Sequence, residues 1–177
     1  MARKWLVVLL LALAAMAVAV PAGARPAEPD GRVAVAALGR LSIPAIRVDA
    51  GIIPVGVTRS GQLDIGRSVR DVYRWRDGVQ PGQRGSAVLA GHTWSKGPGV
   101  FDDLGGLKIG HRVVVGDNRF VVTRVRRVTD MSPQAVADMF TDRGKARLVL
   151  ITCGDRNDLT GVYRTRIIVN ARMLPRR

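Results

Sequence analysis

The sequence predicts an all-β domain whose strands close, or nearly close, into a barrel. Short runs of β-forming residues recur between turn signals from about Val33 onward. Only one segment carries helical spacing, and neither an internal repeat nor a low-complexity tract breaks the rhythm. Many short strands with little helix must each bury a face, and closing the sheet on itself does this without leaving exposed edges.

The strand runs are 39–43, 46–55, 86–90, 112–115, 119–128, 147–152 and 162–171, and they predict seven or eight strands in all. Val113-Val114-Val115 and Phe120-Val121-Val122 flank Gly116-Asp117-Asn118-Arg119, whose turn chemistry predicts a hairpin. Leu148-Val149-Leu150-Ile151 is continuously apolar, as expected of a strand covered on both faces. Ser132 can cap a helix that starts at Pro133 and uses Ala135, Val136, Met139 and Phe140 as its apolar face before Gly144. One or two short helices complete the expected barrel.

A chain of 177 residues with 47% hydrophobic and 24% charged residues is suited to one domain with one core, and it is not the composition of a disordered protein. The charge is +14, from 28 Lys and Arg against 14 Asp and Glu. The excess is arginine scattered along the chain (Arg67, Arg70, Arg74, Arg76, Arg84, Arg124, Arg126, Arg127), with no solid run and no interleaved aromatics. A solvated basic surface accounts for it, and a nucleic-acid partner is not expected.

Arg3-Lys4 followed by the apolar run 5–20 is a targeting signal. Residues 1–24 read either as a signal peptide cleaved after the small residues Ala22-Gly23-Ala24 or as a single-span membrane anchor. The run 5–20 reaches only about 24 Å as a helix, so spanning a core of roughly 30 Å needs the residues to Ala24 as well. No cysteine follows the run, which excludes a lipobox lipoprotein. Both alternatives place the rest of the chain outside the cytoplasm, because the Arg3-Lys4 charges stay inside. Residues 25–37, with Pro26, Pro29 and Gly31, read as a linker, and 38–177 as the folded domain.

A single cysteine in an exported domain makes no internal disulfide and stands out as a reactive thiol. Cys153 follows the apolar strand run, so the expectation puts it at a strand end on the barrel rim. His92 follows the run 86–90 in Ala90-Gly91-His92-Thr93-Trp94 and also opens into a loop, whereas His111, the other histidine, reads as a surface turn residue. Arg164 and Arg166 share one face of the last strand run by its two-residue period, and the short connection from Cys153 brings that strand beside the cysteine. A thiol, an imidazole and a fixed cation make a nucleophile, a proton carrier and an oxyanion stabiliser. With two histidines and one cysteine, and only Asp71 and Asp77 as acids in 68–85, neither a metal nor another cofactor is expected.

Leu89-Ala90-Gly91-His92-Thr93, Leu150-Ile151-Thr152-Cys153 and Thr160-Gly161-Val162-Tyr163 with Arg166 resemble, in order and separation, the motifs of the sortase family of cell-surface transpeptidases. The resemblance extends through Leu41-Ser42-Ile43-Pro44, Val55-Gly56 and Trp75 and covers about 38–172. Among subtypes, the sequence looks most like an actinobacterial kind, class F. The resemblance implies an eight-stranded sortase barrel and a ping-pong reaction on surface proteins with a C-terminal Leu-Pro-X-Thr-Gly-type sorting signal. Cys153 would attack the Thr carbonyl, His92 would protonate the leaving Gly amine, and a cell-wall amine would resolve the thioester. Arg166 falls where the family arginine stands, with Arg164 as its rival. Thr152, Trp94 and Phe101 would contact substrate. The alternative of a different class is a catalytically inactive, cationic wall-binding β-barrel with Cys153 buried.

Overall fold

The computed structural model describes residues 39–59, 62–93, 97–156 and 163–175, with the side chains of Asp155, Arg156, Tyr163 and Arg164 excepted. The segments expected to be targeting signal and linker, and Trp94, lie outside them. Eight strands make up the fold: β1 (Arg40–Ile43), β2 (Val48–Val55), β3 (Val72–Trp75), β4 (Ser86–Gly91), β5 (Arg112–Val115), β6 (Asn118–Val128), β7 (Arg147–Arg156) and β8 (Tyr163–Met173). They close into a barrel in the order β1-β2-β3-β4-β7-β8-β6-β5, with β1 pairing both β2 and β5. The expected closed eight-stranded barrel is therefore the observed one.

Two pairings are parallel, β2 with β3 and β4 with β7. Parallel neighbours need long crossovers, and the one from β4 to β7 carries β5, β6 and α1 (Pro133–Met139). Ser132 Oγ accepts from the Ala135 N–H at 3.2 Å, the N-cap the sequence predicts, with Pro133 in the first turn. The helix is shorter than its apolar spacing implies and stops at Met139.

The period of β7 explains its unbroken apolar run. Leu148 and Leu150 point inward and meet Ala87, Leu89, Val169 and Ala171 in the barrel core. Val149 and Ile151 point outward and join Val88, Ile168, Val128 and the α1 residue Met139 in a second, smaller cluster on the outer wall. Both faces are thus apolar because both are covered.

Two departures matter for the site. β3 is absent from the strands expected, since Arg70, Asp71, Arg74 and Arg76 hide its pattern; Arg74 is nonetheless 3% exposed, its Nη1 donating to the Trp75 carbonyl at 2.7 Å. β7 also continues to Arg156, so Cys153 sits within a paired strand and not at its end.

On the outer wall Arg147 of β7 lies directly opposite Arg172 of β8, and both are exposed. Like charges facing each other across a ladder are destabilising, and a net +14 adds self-repulsion. Raising the ionic strength from about 0.05 to about 0.5 M, which shortens the screening length several-fold, is expected to raise Tm by a few degrees. Thermal unfolding followed by circular dichroism checks this, and a fall in Tm with salt would contradict it.

Candidate active site

Strand alternation puts Cys153 on the outer face of β7, two residues beyond Ile151, and the thiol residue is partly exposed. Directly opposite it on β8 stands Arg166. Facing residues on antiparallel strands have Cβ atoms about 4.5–5.5 Å apart, so the Arg166 side chain leaves the sheet on the same face and at the same level as that of Cys153. Arg166 is exposed and uses Nη1 to donate to the Thr165 carbonyl at 3.1 Å. Gly154 lets the two strands close here, since a Cβ would come within 2.8 Å of Thr165 Oγ1.

His92 is the first residue after β4. Because β4 runs parallel to β7, with Ala90 opposite Ile151, the chain reaches His92 at the level where β7 reaches Cys153. Two hydroxyls lock that level. Thr152, only 3% exposed, donates from Oγ1 to the Gly91 carbonyl at 2.8 Å. Thr93 donates from Oγ1 to the Cys153 carbonyl at 2.8 Å, and the two Oγ1 atoms are 2.6 Å apart. The residues on both sides of His92 are thus tied to Thr152 and Cys153.

The imidazole has its own supports. Its Nε2 lies 2.7 Å from the Gly66 carbonyl, and since a carbonyl only accepts, Nε2 carries the proton. Tyr73 of β3 faces Ala90 of β4, and its ring meets His92 edge to face with centroids 6.0 Å apart. The Tyr73 hydroxyl donates to the Ser68 carbonyl at 2.9 Å. Burial first, then the Asp71 charge, push the Tyr73 phenol above its ordinary pKa and keep it a donor. Below, the Phe101 N–H donates to the His92 carbonyl at 3.1 Å.

These residues make a partly exposed thiol, a cation across from it and an imidazole held at the same rim. Among the described residues no three His, Cys, Asp or Glu side chains converge to hold a metal.

A family model described as the Sortase domain matches residues 41–174, nearly the whole barrel. The chain belongs to the sortase family. It is 30% identical over 130 residues to Sortase A of Bacillus anthracis, a match covering 71% of this chain and 56% of that relative, so the chain spans little more than half the relative's length. The barrel is similar to sortase C1 of Streptococcus agalactiae (TM-score 0.59, 23% identity, 78% of this chain and 68% of that one). It is also similar to Sortase A of Corynebacterium diphtheriae (TM-score 0.60, 20% identity, 79% and 61%). Both establish likeness of fold.

Within this sortase fold, Cys153, Arg166 and His92 come to one outer rim. Arg164 is two residues away on β8, and its side chain, like all of Trp94, lies outside the described residues. The expectation that Phe101 contacts substrate is corrected: it is 0% exposed, packed in the barrel core. A Cβ on Gly91 would meet Phe101 Cδ2 at 2.6 Å, so the ring supports the His92 strand from beneath. The Thr152 side chain is likewise turned inward, committed to Gly91, and serves the scaffold instead of a substrate. His111 remains a turn residue, its Nδ1 accepting from the Lys108 N–H at 3.2 Å.

Sequence reasoning missed Thr93, Tyr73 and Gly66. A hydroxyl directly after His92, matched by one directly before Cys153, was the available sign for Thr93. Replacing Thr93 by Val removes the donor to the Cys153 carbonyl and is expected to cost about 1–3 kcal/mol. Thr93→Ser, which keeps the hydroxyl, is expected to stay near wild type. Urea unfolding midpoints at constant m measure both, and an unshifted midpoint in the Val variant would remove the clamp from the account.

Proposed function

We propose that this sortase is an extracytoplasmic cysteine transpeptidase that cleaves a Leu-Pro-X-Thr-Gly-type sorting signal between Thr and Gly and transfers the acyl group to a cell-wall amine. The observation that carries the reading is the facing of Cys153 and Arg166 across β7 and β8, with His92 tied to the same level by Thr93 and Thr152. The Cys153 sulfur, as thiolate, attacks the Thr carbonyl carbon, and the oxyanion that forms lies on the side of Arg166. The C–N bond to Gly breaks as His92 gives a proton to the leaving amine, and a thioester remains. An incoming amine gives its proton back to His92, attacks the thioester and restores the thiolate.

Arg166 is assigned the oxyanion role over Arg164 because it, and not its rival, is the residue registered against Cys153. Export and tethering by residues 1–24, with 25–37 as linker, accord with this reading. So does a surface-protein substrate.

Incubating the protein with a Leu-Pro-X-Thr-Gly peptide and an amine, followed by mass spectrometry, is expected to give the Thr–amine product with wild type and none with Cys153→Ala. Arg166→Ala is expected to lower turnover on the order of 10²–10³-fold, and Arg164→Ala far less. Equal and small losses in the two arginine variants would remove the oxyanion role. A peptide left intact across several signal variants, together with anionic-polymer binding that survives Cys153→Ala, would favour an inactive cationic wall-binding barrel.

A further inference from the structure

Three contacts around His92 form one device. The Gly66 carbonyl accepts a hydrogen bond from Nε2–H at 2.7 Å, the Tyr73 ring stands edge to face on the imidazole at 6.0 Å, and the Tyr73 hydroxyl donates to the Ser68 carbonyl at 2.9 Å. Gly66 and Ser68 belong to the same loop between β2 and β3, so one tyrosine touches both the histidine and the loop that supplies its acceptor. The fit is close: a Cβ at Gly66 would lie 2.8 Å from Tyr73 Cε1 and 3.0 Å from Tyr73 Oη. The loop carbonyl therefore reaches His92 because residue 66 has no side chain and because Tyr73 anchors the loop two residues on. Tyr73 is 2% exposed and faces Ala90 across the ladder, which leaves its ring little freedom to move.

We infer that Tyr73 is a positioning residue: by its ring and through the 66–68 loop it locks His92 as the Nε2–H tautomer and leaves Nδ1 as the nitrogen that exchanges protons. The inference rests on the proposed transpeptidase reading for its catalytic meaning but not for its geometry. A carbonyl bonded to Nε2–H cannot take that proton away, so the site's proton traffic runs through the other ring nitrogen. A histidine free to turn over would spend part of its time, when neutral, protonated at Nδ1 and unable to take the proton of the incoming amine there.

The test uses the full chain with ¹⁵N-labelled histidine, in wild type, Tyr73→Phe and Tyr73→Leu. His111→Gln assigns the two rings, which is needed because His111 also accepts at Nδ1. Wild-type His92 is expected to show a protonated Nε2 and an unprotonated Nδ1 at a pH where the ring is neutral, with slow exchange of the Nε2 proton. Tyr73→Phe keeps the ring and drops the Ser68 bond, and is expected to speed that exchange; Tyr73→Leu is expected to mix the tautomers. In peptide cleavage, kcat is expected to fall roughly tenfold in the Phe variant and on the order of 10²-fold in the Leu variant, with KM unchanged. A wild-type His92 protonated at Nδ1 when neutral, or ring signals unchanged in both variants, would overturn the inference whatever the cleavage assay shows. Ring signals that respond as expected in a wild-type chain that cleaves no peptide would uphold the positioning and overturn the transpeptidase reading alone.

Discussion

The parallel pairing of β4 with β7 is the constraint on which the site depends. Antiparallel neighbours bring the end of one strand to the start of the next, whereas parallel neighbours bring both ends to the same rim. His92 and Cys153, about sixty residues apart, meet for that reason: their strands run the same way in a register that puts Ala90 beside Ile151. Slipping that register by one residue would turn every outward side chain of β7 inward, Cys153 included. Leu148 and Leu150 in the core and Val149 and Ile151 under α1 oppose the slip, since neither face could accept the exchange without repacking.

The same pairing explains what the sequence discloses and what it hides. Local patterns were legible. The hairpin of β5 and β6, the cap at Ser132 and the doubly apolar run in β7 each follow from neighbours within a few residues, and each is present. β3 was not legible because its third residue is a buried arginine that donates to the carbonyls of Trp75 at the strand's end and Arg76 in the turn after it, a solution no hydropathy pattern announces. Its absence from the reading hid Tyr73, and with it the support of His92. Phe101 was misread for a related reason: an aromatic in a loop after the histidine looks like groove lining, yet Gly91 makes room for the ring underneath the strand. The candidates for nucleophile and proton carrier came from scarcity, with one cysteine and two histidines to choose from, and not from any signal of where the strands would take them.

Placing Cys153 inside β7, instead of beyond its end, changes the physical character of the site. A residue in a ladder has fixed φ and ψ, and the residue opposite it is fixed too. The sheet itself therefore sets Arg166 on the thiol's face. A long side chain on a rigid strand keeps some rotamer freedom, and Arg166 is exposed. The imidazole is treated in the opposite way. It hangs from the first residue past β4, where the backbone is less constrained, and it is steadied by contacts from β3 and from the Gly66 carbonyl.

The two threonines between these groups show how the tie is made. Thr93 and Thr152 have one hydroxyl proton each, yet three short contacts join them to each other, to the Gly91 carbonyl and to the Cys153 carbonyl. Two protons cannot fill three contacts: Thr152 serves Gly91 while Thr93 serves Cys153, or Thr152 donates to Thr93, which donates on to Cys153, or Thr93 donates to Thr152, which donates on to Gly91. The second and third arrangements are chains in which each bond polarises the next, and the first satisfies both carbonyls and leaves two oxygens facing at 2.6 Å. Two of the three contain the bond from Thr93 to Cys153, and two contain the bond from Thr152 to Gly91. In every arrangement both hydroxyl protons bridge the end of β4 and β7, so His92 keeps its level against Cys153 whichever way the two hydroxyls turn.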